Sequence, residues 1–219
     1  MLEWFAQNKE FLKLAYAAIL TLICIFIVFK TDKLFRLSTH KGIQYFRNAF
    51  FFYGIGFFIR YFLPLITKNN FLSGFFFEFF FMIGSFSLLY SLVWKKFERF
   101  HSDYQTSLFN LNILIFYLMS ILVLILDYIL NFHKILFISQ IIIFVFASAL
   151  SFRNYFYSNR NNFSRYYFLI MFLSLIFWIL NFFADAVFSW ESISLIVIYA
   201  INILIFALFF LLIIIAMRK

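Results

Sequence analysis

Charged residues are scarce in this chain of 219 residues, making up 12% of it against 66% hydrophobic residues. A soluble domain needs many more polar groups to cover its surface. The apolar residues recur in blocks of about twenty, the length at which a helix crosses roughly 30 Å of hydrocarbon. The composition therefore excludes an ordinary soluble domain and predicts a helical integral membrane protein.

Cysteine, histidine and proline are also rare, and each shortage excludes a kind of chemistry. The single cysteine, Cys24, lies in an apolar run and cannot form an intrachain disulfide. The three histidines all fall in predicted loops, which argues against a histidine-based metal site in the membrane. The single proline, Pro64, is not preceded by glutamine, so the motif of the small seven-helix sugar transporters is absent. We expect neither a metal nor a cofactor.

The net charge of +9 would suggest a nucleic-acid partner in a soluble protein. Here the basic residues cluster between the apolar blocks, where membrane topology already accounts for them. We therefore expect membrane lipid as a partner, together with a cytoplasmic or membrane protein, and no nucleic acid. The sequence leaves the oligomeric state open.

Seven apolar segments predict an all-α bundle of seven transmembrane helices in a single domain over residues 1–219. Basic residues follow the first, third and fifth segments, so the positive-inside rule predicts an outside N-terminus, a cytoplasmic C-terminus and a multi-pass location in the cell membrane. The weakest boundary is the one between the fourth and fifth helices. The predicted helices cover residues 11–29, 42–66, 71–94, 108–130, 135–152, 165–188 and 193–217.

The second segment carries Arg60 well inside its apolar run. A charge at that depth is costly and needs a partner or a function. Glu78 lies at a matching depth in the third segment, because the two segments are antiparallel neighbours joined by a short turn. We predict an Arg60–Glu78 ion pair, which either fixes two helices together or helps to bind a ligand. Gly54 and Gly56 in the second segment predict a point of close helix packing.

Other polar residues lie in the same half of the predicted bundle. Polar residues on membrane helices face other helices rather than lipid, so these residues predict a ligand pocket in the outer half. For the two aspartates, simple solvation near the interface is the alternative, and for Tyr199 it is a hydrogen bond between helices. The candidate ligand-binding residues are Arg60, Glu78, Asp127, Asn181, Asp185 and Tyr199.

The first three and last three helices have the same order and direction, so a parallel repeat with the fourth helix as connection is geometrically allowed. Shifting 45–64 onto 166–185 matches several aromatic residues and places Arg60 opposite Asn181. Chance matches are expected in a chain with 40 phenylalanines.

The leading functional hypothesis is a receptor-like or sensory seven-helix protein. The alternatives are a small transporter or channel for a cation or polar solute, and a non-catalytic accessory subunit of a membrane complex. No catalytic residue is predicted, although an enzyme stays open because carboxylates alone can perform acid–base chemistry.

Overall fold

The structure is a computed structural model that describes residues 8–38, 41–97, 111–130, 134–157, 162–187 and 194–217. In these ranges it has seven helices, each long and apolar enough to cross a membrane. The predicted all-α architecture, with seven helices of membrane-spanning length, is thereby confirmed. The helices are α1 Lys9–Ser38, α2 Lys41–Thr67, α3 Asn70–Phe97, α4 Leu111–Leu130, α5 Ile135–Tyr157, α6 Asn162–Val187 and α7 Ser194–Met217.

Two helices run well past their predicted ends, because a charged segment does not itself end a helix. α1 continues to Ser38 rather than to residue 29, and α5 continues to Tyr157 rather than to residue 152. In the added part of α1, Arg36 Nε donates to Asp32 Oδ2 at 2.9 Å, an i,i+4 pair that supports helix. The predicted helical residues 108–110, 188 and 193 and all three histidines lie outside the described residues.

A tight turn joins α2 to α3 and fixes the two helices side by side. Lys68 adopts a left-handed backbone conformation with φ of 53°, which ends α2. The side-chain oxygen of Asn69 then accepts a hydrogen bond from the backbone N–H of Leu72 at 3.1 Å and caps α3. We call the end of the bundle that carries Lys68 and Asn69 the hairpin end.

Six of the seven helices form a closed ring. The helices α1, α2, α3, α5, α6 and α7 pack against one another in that order, and α7 returns to α1. α4 packs against α3 and α5 and stands outside the ring. Much of its apolar surface is therefore exposed, including Leu114, Leu118 and Leu122, as expected of a lipid-facing helix.

Aromatic side chains fill the space enclosed by the six helices. Phe81 of α3 packs edge-on against Phe57 of α2 at 4.9 Å and against Trp178 of α6 at 5.5 Å, measured between ring centroids. Phe206 of α7 packs against Phe57 at 5.4 Å. We call these four buried residues the aromatic layer. The layer joins α2, α3, α6 and α7 across the interior.

Contacts between aromatic rings of α1 and α2 have counterparts between α5 and α6. The corresponding residues are related by the same shift that places 45–64 on 166–185. In each half, one ring on the first helix contacts two rings on the second, with centroids 5.9 to 6.4 Å apart. The contacts are Tyr16 with Phe57 and Tyr61, and Phe137 with Trp178 and Phe182. The same shift relates the contacting residues of α1 to those of α5 and the contacting residues of α2 to those of α6. A chance match of aromatic residues would not be expected to give this agreement in both helices.

Part of the burial pattern follows the same shift. Five buried residues of α6 correspond to buried residues of α2: Ile170, Met171, Ser174, Phe177 and Trp178 correspond to Ala49, Phe50, Tyr53, Gly56 and Phe57. Phe46 and Tyr167, which are equivalent under the shift, contact each other at 5.1 Å, as residues beside a pseudo-two-fold axis do. The structure thus supports the hypothesis of two three-helix repeats connected by α4.

Candidate functional site

Arg60 lies in the apolar span of α2, near the hairpin end, and its side chain reaches α3. The guanidinium carbon lies 5.5 Å from the centroid of the Phe77 ring, a cation–π distance. Its Nη1 atom lies 2.9 Å from the point that a Cβ on Gly74 would occupy. Because glycine has no side chain, the guanidinium can lie directly on the surface of α3. Gly74 and Phe77 therefore form the surface of α3 on which the Arg60 side chain packs.

The predicted Arg60–Glu78 ion pair is not formed. The ion pairs among the described residues are Lys13–Glu10, Arg36–Asp32 and Arg47–Asp32. Glu78 lies one helical turn beyond Gly74 on α3, but the guanidinium packs against Gly74 and Phe77 and forms no ion pair with the Glu78 carboxylate. The two charges still act on each other electrostatically. The structure thus places an acid and a base at the same end of the bundle, half-buried and without direct contact.

Asp127, another candidate, has a side chain that is hydrogen-bonded to the backbone. Its Oδ1 accepts a hydrogen bond of 3.1 Å from the N–H of Ile135, the first residue of α5. The first N–H groups of a helix lack intrahelical acceptors, so the buried Asp127 carboxylate caps α5 from the end of α4. This contact marks the boundary between α4 and α5 that the sequence left weakest. Asp127 also acts electrostatically on Glu78.

Asn181 belongs to a polar network that joins α6, α7 and α1. The side-chain amides of Asn181 and Asn202 exchange two hydrogen bonds, of 3.1 and 3.0 Å. Asn202 Nδ2 also donates to the hydroxyl of Tyr16 at 3.1 Å. The Tyr16 ring stacks on Tyr199 with centroids 4.3 Å apart. We call Tyr16, Asn181, Tyr199 and Asn202 the asparagine–tyrosine network.

Tyr199 connects this network to the surroundings of Arg60. Tyr61, the residue after Arg60 on α2, packs against the same Tyr16 ring with centroids 5.9 Å apart, and Arg60 acts electrostatically on both Tyr61 and Tyr199. Sequence reasoning missed Tyr16 and Tyr61, because a tyrosine in an apolar run carries little signal in a chain with 13 of them.

Asp185, in the last turns of α6, is half-buried. Among the residues that the structure describes, it has no hydrogen bond or ion pair with another candidate. The structure therefore links Asn181 to Tyr199 through Asn202 and Tyr16, places Arg60 and Glu78 at the same end of the bundle without an ion pair, and leaves Asp185 apart.

A separate polar cluster lies deeper in the bundle and binds three helices together. The hydroxyls of Ser85 on α3 and Tyr53 on α2 lie 2.8 Å apart, and Ser85 also hydrogen-bonds the side-chain oxygen of Gln140 on α5. Gln140 Nε2 lies 3.0 Å from the sulfur of Met82. All four side chains are buried and hydrogen-bonded. Such groups hold membrane helices together.

A small cavity of about 30 Å³ lies at the end opposite the hairpin end, between α1, α2, α6 and α7. Its lining includes Phe46, Ile170 and Ile213. A space of this size holds about one water molecule, and its walls are largely apolar. It is therefore a poor candidate for a polar ligand.

Comparison with known proteins gives a sequence relative without an assigned role. The chain is 25% identical over 181 residues to a protein of Archaeoglobus fulgidus described as an uncharacterized protein, and the match covers 76% of this chain and 75% of that protein. No protein-family model matches the chain. No solved structure matches it.

Proposed function

We propose that the protein is a receptor-like or sensory membrane protein that binds a small ligand at the hairpin end. The observation that carries the proposal is Arg60, a cation in an apolar span that has no ion-pair partner among the described residues. An uncompensated charge at that depth is costly, and a ligand would supply the missing partner. Charge-assisted hydrogen bonds to a guanidinium are among the strongest that proteins form.

The proposed site is bounded by Arg60, Glu78 and Tyr199, with Asn181 behind Tyr199 in the network. The aromatic layer forms its floor, since Phe57 and Phe81 lie three residues deeper than Arg60 and Glu78 on their helices. Three residues of helix correspond to ~4.5 Å. A ligand at Arg60 would rest on packed rings, which favours a bound effector over a solute passing through. A cytoplasmic or membrane protein is the proposed receiver of the signal.

Native mass spectrometry of the gently extracted protein tests this proposal. We expect the wild type to carry a small molecule and Arg60→Ala to lose it, because the variant removes the guanidinium that binds it. Arg153→Ala is the matched control, since it removes an exposed arginine near the opposite end of the bundle, and it should keep the ligand. A wild type without ligand, or equal occupancy in Arg60→Ala, would contradict the proposal.

The repeated ring contacts favour a second candidate, a small transporter for a polar solute or cation. Many secondary transporters are built from internal repeats with the substrate between them, and two parallel three-helix units related by a pseudo-two-fold axis fit that plan. Saturable uptake of the bound molecule into proteoliposomes, lost in Arg60→Ala, would establish this function. Binding without uptake would leave the sensor.

A further inference from the structure

We infer that the ligand at the hairpin end is a small zwitterion, with an anionic group that binds Arg60 and an amine that binds Glu78. The inference rests on the proposed function, because it names the chemical class that the same site would recognise.

The two charges face the same side of α3 without pairing. The guanidinium lies against Gly74, and Glu78 is four residues farther along α3. Residues four apart lie on the same face of a helix, one turn from each other. Arg60 and Glu78 form no ion pair with each other, so a ligand can hydrogen-bond to both.

The charges around Arg60 and Glu78 restrict the kind of ligand that can bind. A simple anion at Arg60 would be repelled by Glu78 and by Asp127 behind it, and a simple cation at Glu78 would be repelled by Arg60. Lys13 and Glu10, the charges nearest to Tyr199 on α1, are already paired with each other at 2.7 Å. A ligand that carries both charges satisfies Arg60 and Glu78 together.

The surroundings of Arg60 are aromatic. Phe77 lies under the guanidinium, and Tyr61, the next residue on α2, packs with Tyr199 against the ring of Tyr16. These rings offer an apolar surface to the rest of the ligand. The site therefore fits an amino acid, or a closely related zwitterion, with an apolar side chain.

Thermal unfolding of the detergent-solubilised protein with each of the twenty standard amino acids, tested singly, is the first experiment. We expect at least one apolar amino acid to raise the unfolding temperature. Its analogues without the amine or without the carboxylate should bind at least about tenfold more weakly, since each loses a hydrogen bond to a charged group. For leucine these analogues are 3-methylbutylamine, which lacks the carboxylate, and 4-methylpentanoate, which lacks the amine.

Two variants separate recognition from structure. Glu78→Gln should weaken binding of the amino acid about tenfold and strengthen binding of its carboxylate analogue, a reversal that a structural role would not produce. Gly74→Ala should weaken binding while the protein still folds, because the new Cβ displaces the end of the Arg60 side chain. Arg153→Ala, at an exposed position near the opposite end of the bundle, should bind as the wild type does.

The two proposals can fail separately. If native mass spectrometry finds a simple anion or cation that Arg60→Ala loses, the site is real and the zwitterion inference is wrong. Stabilisation by no amino acid, or equal binding of an amino acid and its two analogues, also overturns the inference. A wild type that neither carries nor binds any small molecule overturns both.

Discussion

Gly84→Ala is expected to destabilise the bundle by roughly 1–3 kcal/mol, the usual cost of inserting a group into a well-packed core. A Cβ at this position would lie 2.8 Å from Cε1 of Tyr53 and 3.2 Å from the carbonyl oxygen of Ala49. The Ala49 oxygen belongs to the helix backbone and cannot rotate away. The Tyr53 ring is held by the hydrogen bond between its hydroxyl and Ser85. Relief therefore requires α2 and α3 to separate.

Gly74→Ala is the matched control, because it makes the same substitution on the same helix. Its Cβ would meet Nη1 of Arg60, the mobile end of a long side chain, which can move at little cost. The free energies of unfolding of both variants, measured in the same detergent, should differ by at least about 1 kcal/mol. Equal losses would show that α2 and α3 are not in their closest contact at Gly84.

The glycines also show what composition could predict about packing. Gly54 and Gly56 indicated a close helix contact, and the structure confirms it: a Cβ on Gly54 would lie 3.1 Å from that of Cys24, and one on Gly56 would lie 2.7 Å from Phe81. Small residues matter there because they let backbones approach where no hydrophobic force drives association. The partner helices, α1 for Gly54 and α3 for Gly56, required the structure.

The number of helices was predictable because the length of apolar sequence that crosses a bilayer is fixed by helix geometry. The ends of α1 and α5 were not, since a charged segment such as the one with Asp32 and Arg36 can stay helical beyond the apolar run. The order of the helices around the ring could not be predicted from the sequence either. It depends on which helix faces pack together, and no rule of length or charge places α4 outside the ring of six helices.

The depth of the candidate site was predictable, but its contacts were not. Arg60 and Glu78 share a level because α2 and α3 are antiparallel neighbours. Whether they pair depends on sideways packing, and the Arg60 guanidinium packs against Gly74 and Phe77 instead of pairing with Glu78. The capping partner of Asp127 is a backbone N–H across the α4–α5 connection, and such a contact depends on how the chain turns.

Phe81→Ala is expected to cost about 3 kcal/mol or more, the largest loss foreseen for a single substitution in this bundle. Phe81 is buried at the centre of the aromatic layer, with its ring 4.9 Å from Phe57 and from Tyr53 and 5.5 Å from Trp178. Helices on every side prevent lipid from entering the space that truncation would leave. Most of the cost is then lost packing, because transfer between protein and lipid contributes little.

Phe75→Ala on the same helix separates packing from hydrophobicity. The Phe75 side chain is 39% exposed, on a surface that lipid or detergent covers, so solvent chains can fill the vacated volume. Both variants remove the same apolar group, and only Phe81→Ala leaves a cavity. Denaturant titration in mixed micelles should therefore give a loss for Phe75→Ala well below that for Phe81→Ala. Similar losses would mean that the interior at Phe81 is open to lipid, and that the proposed ligand site has no packed floor.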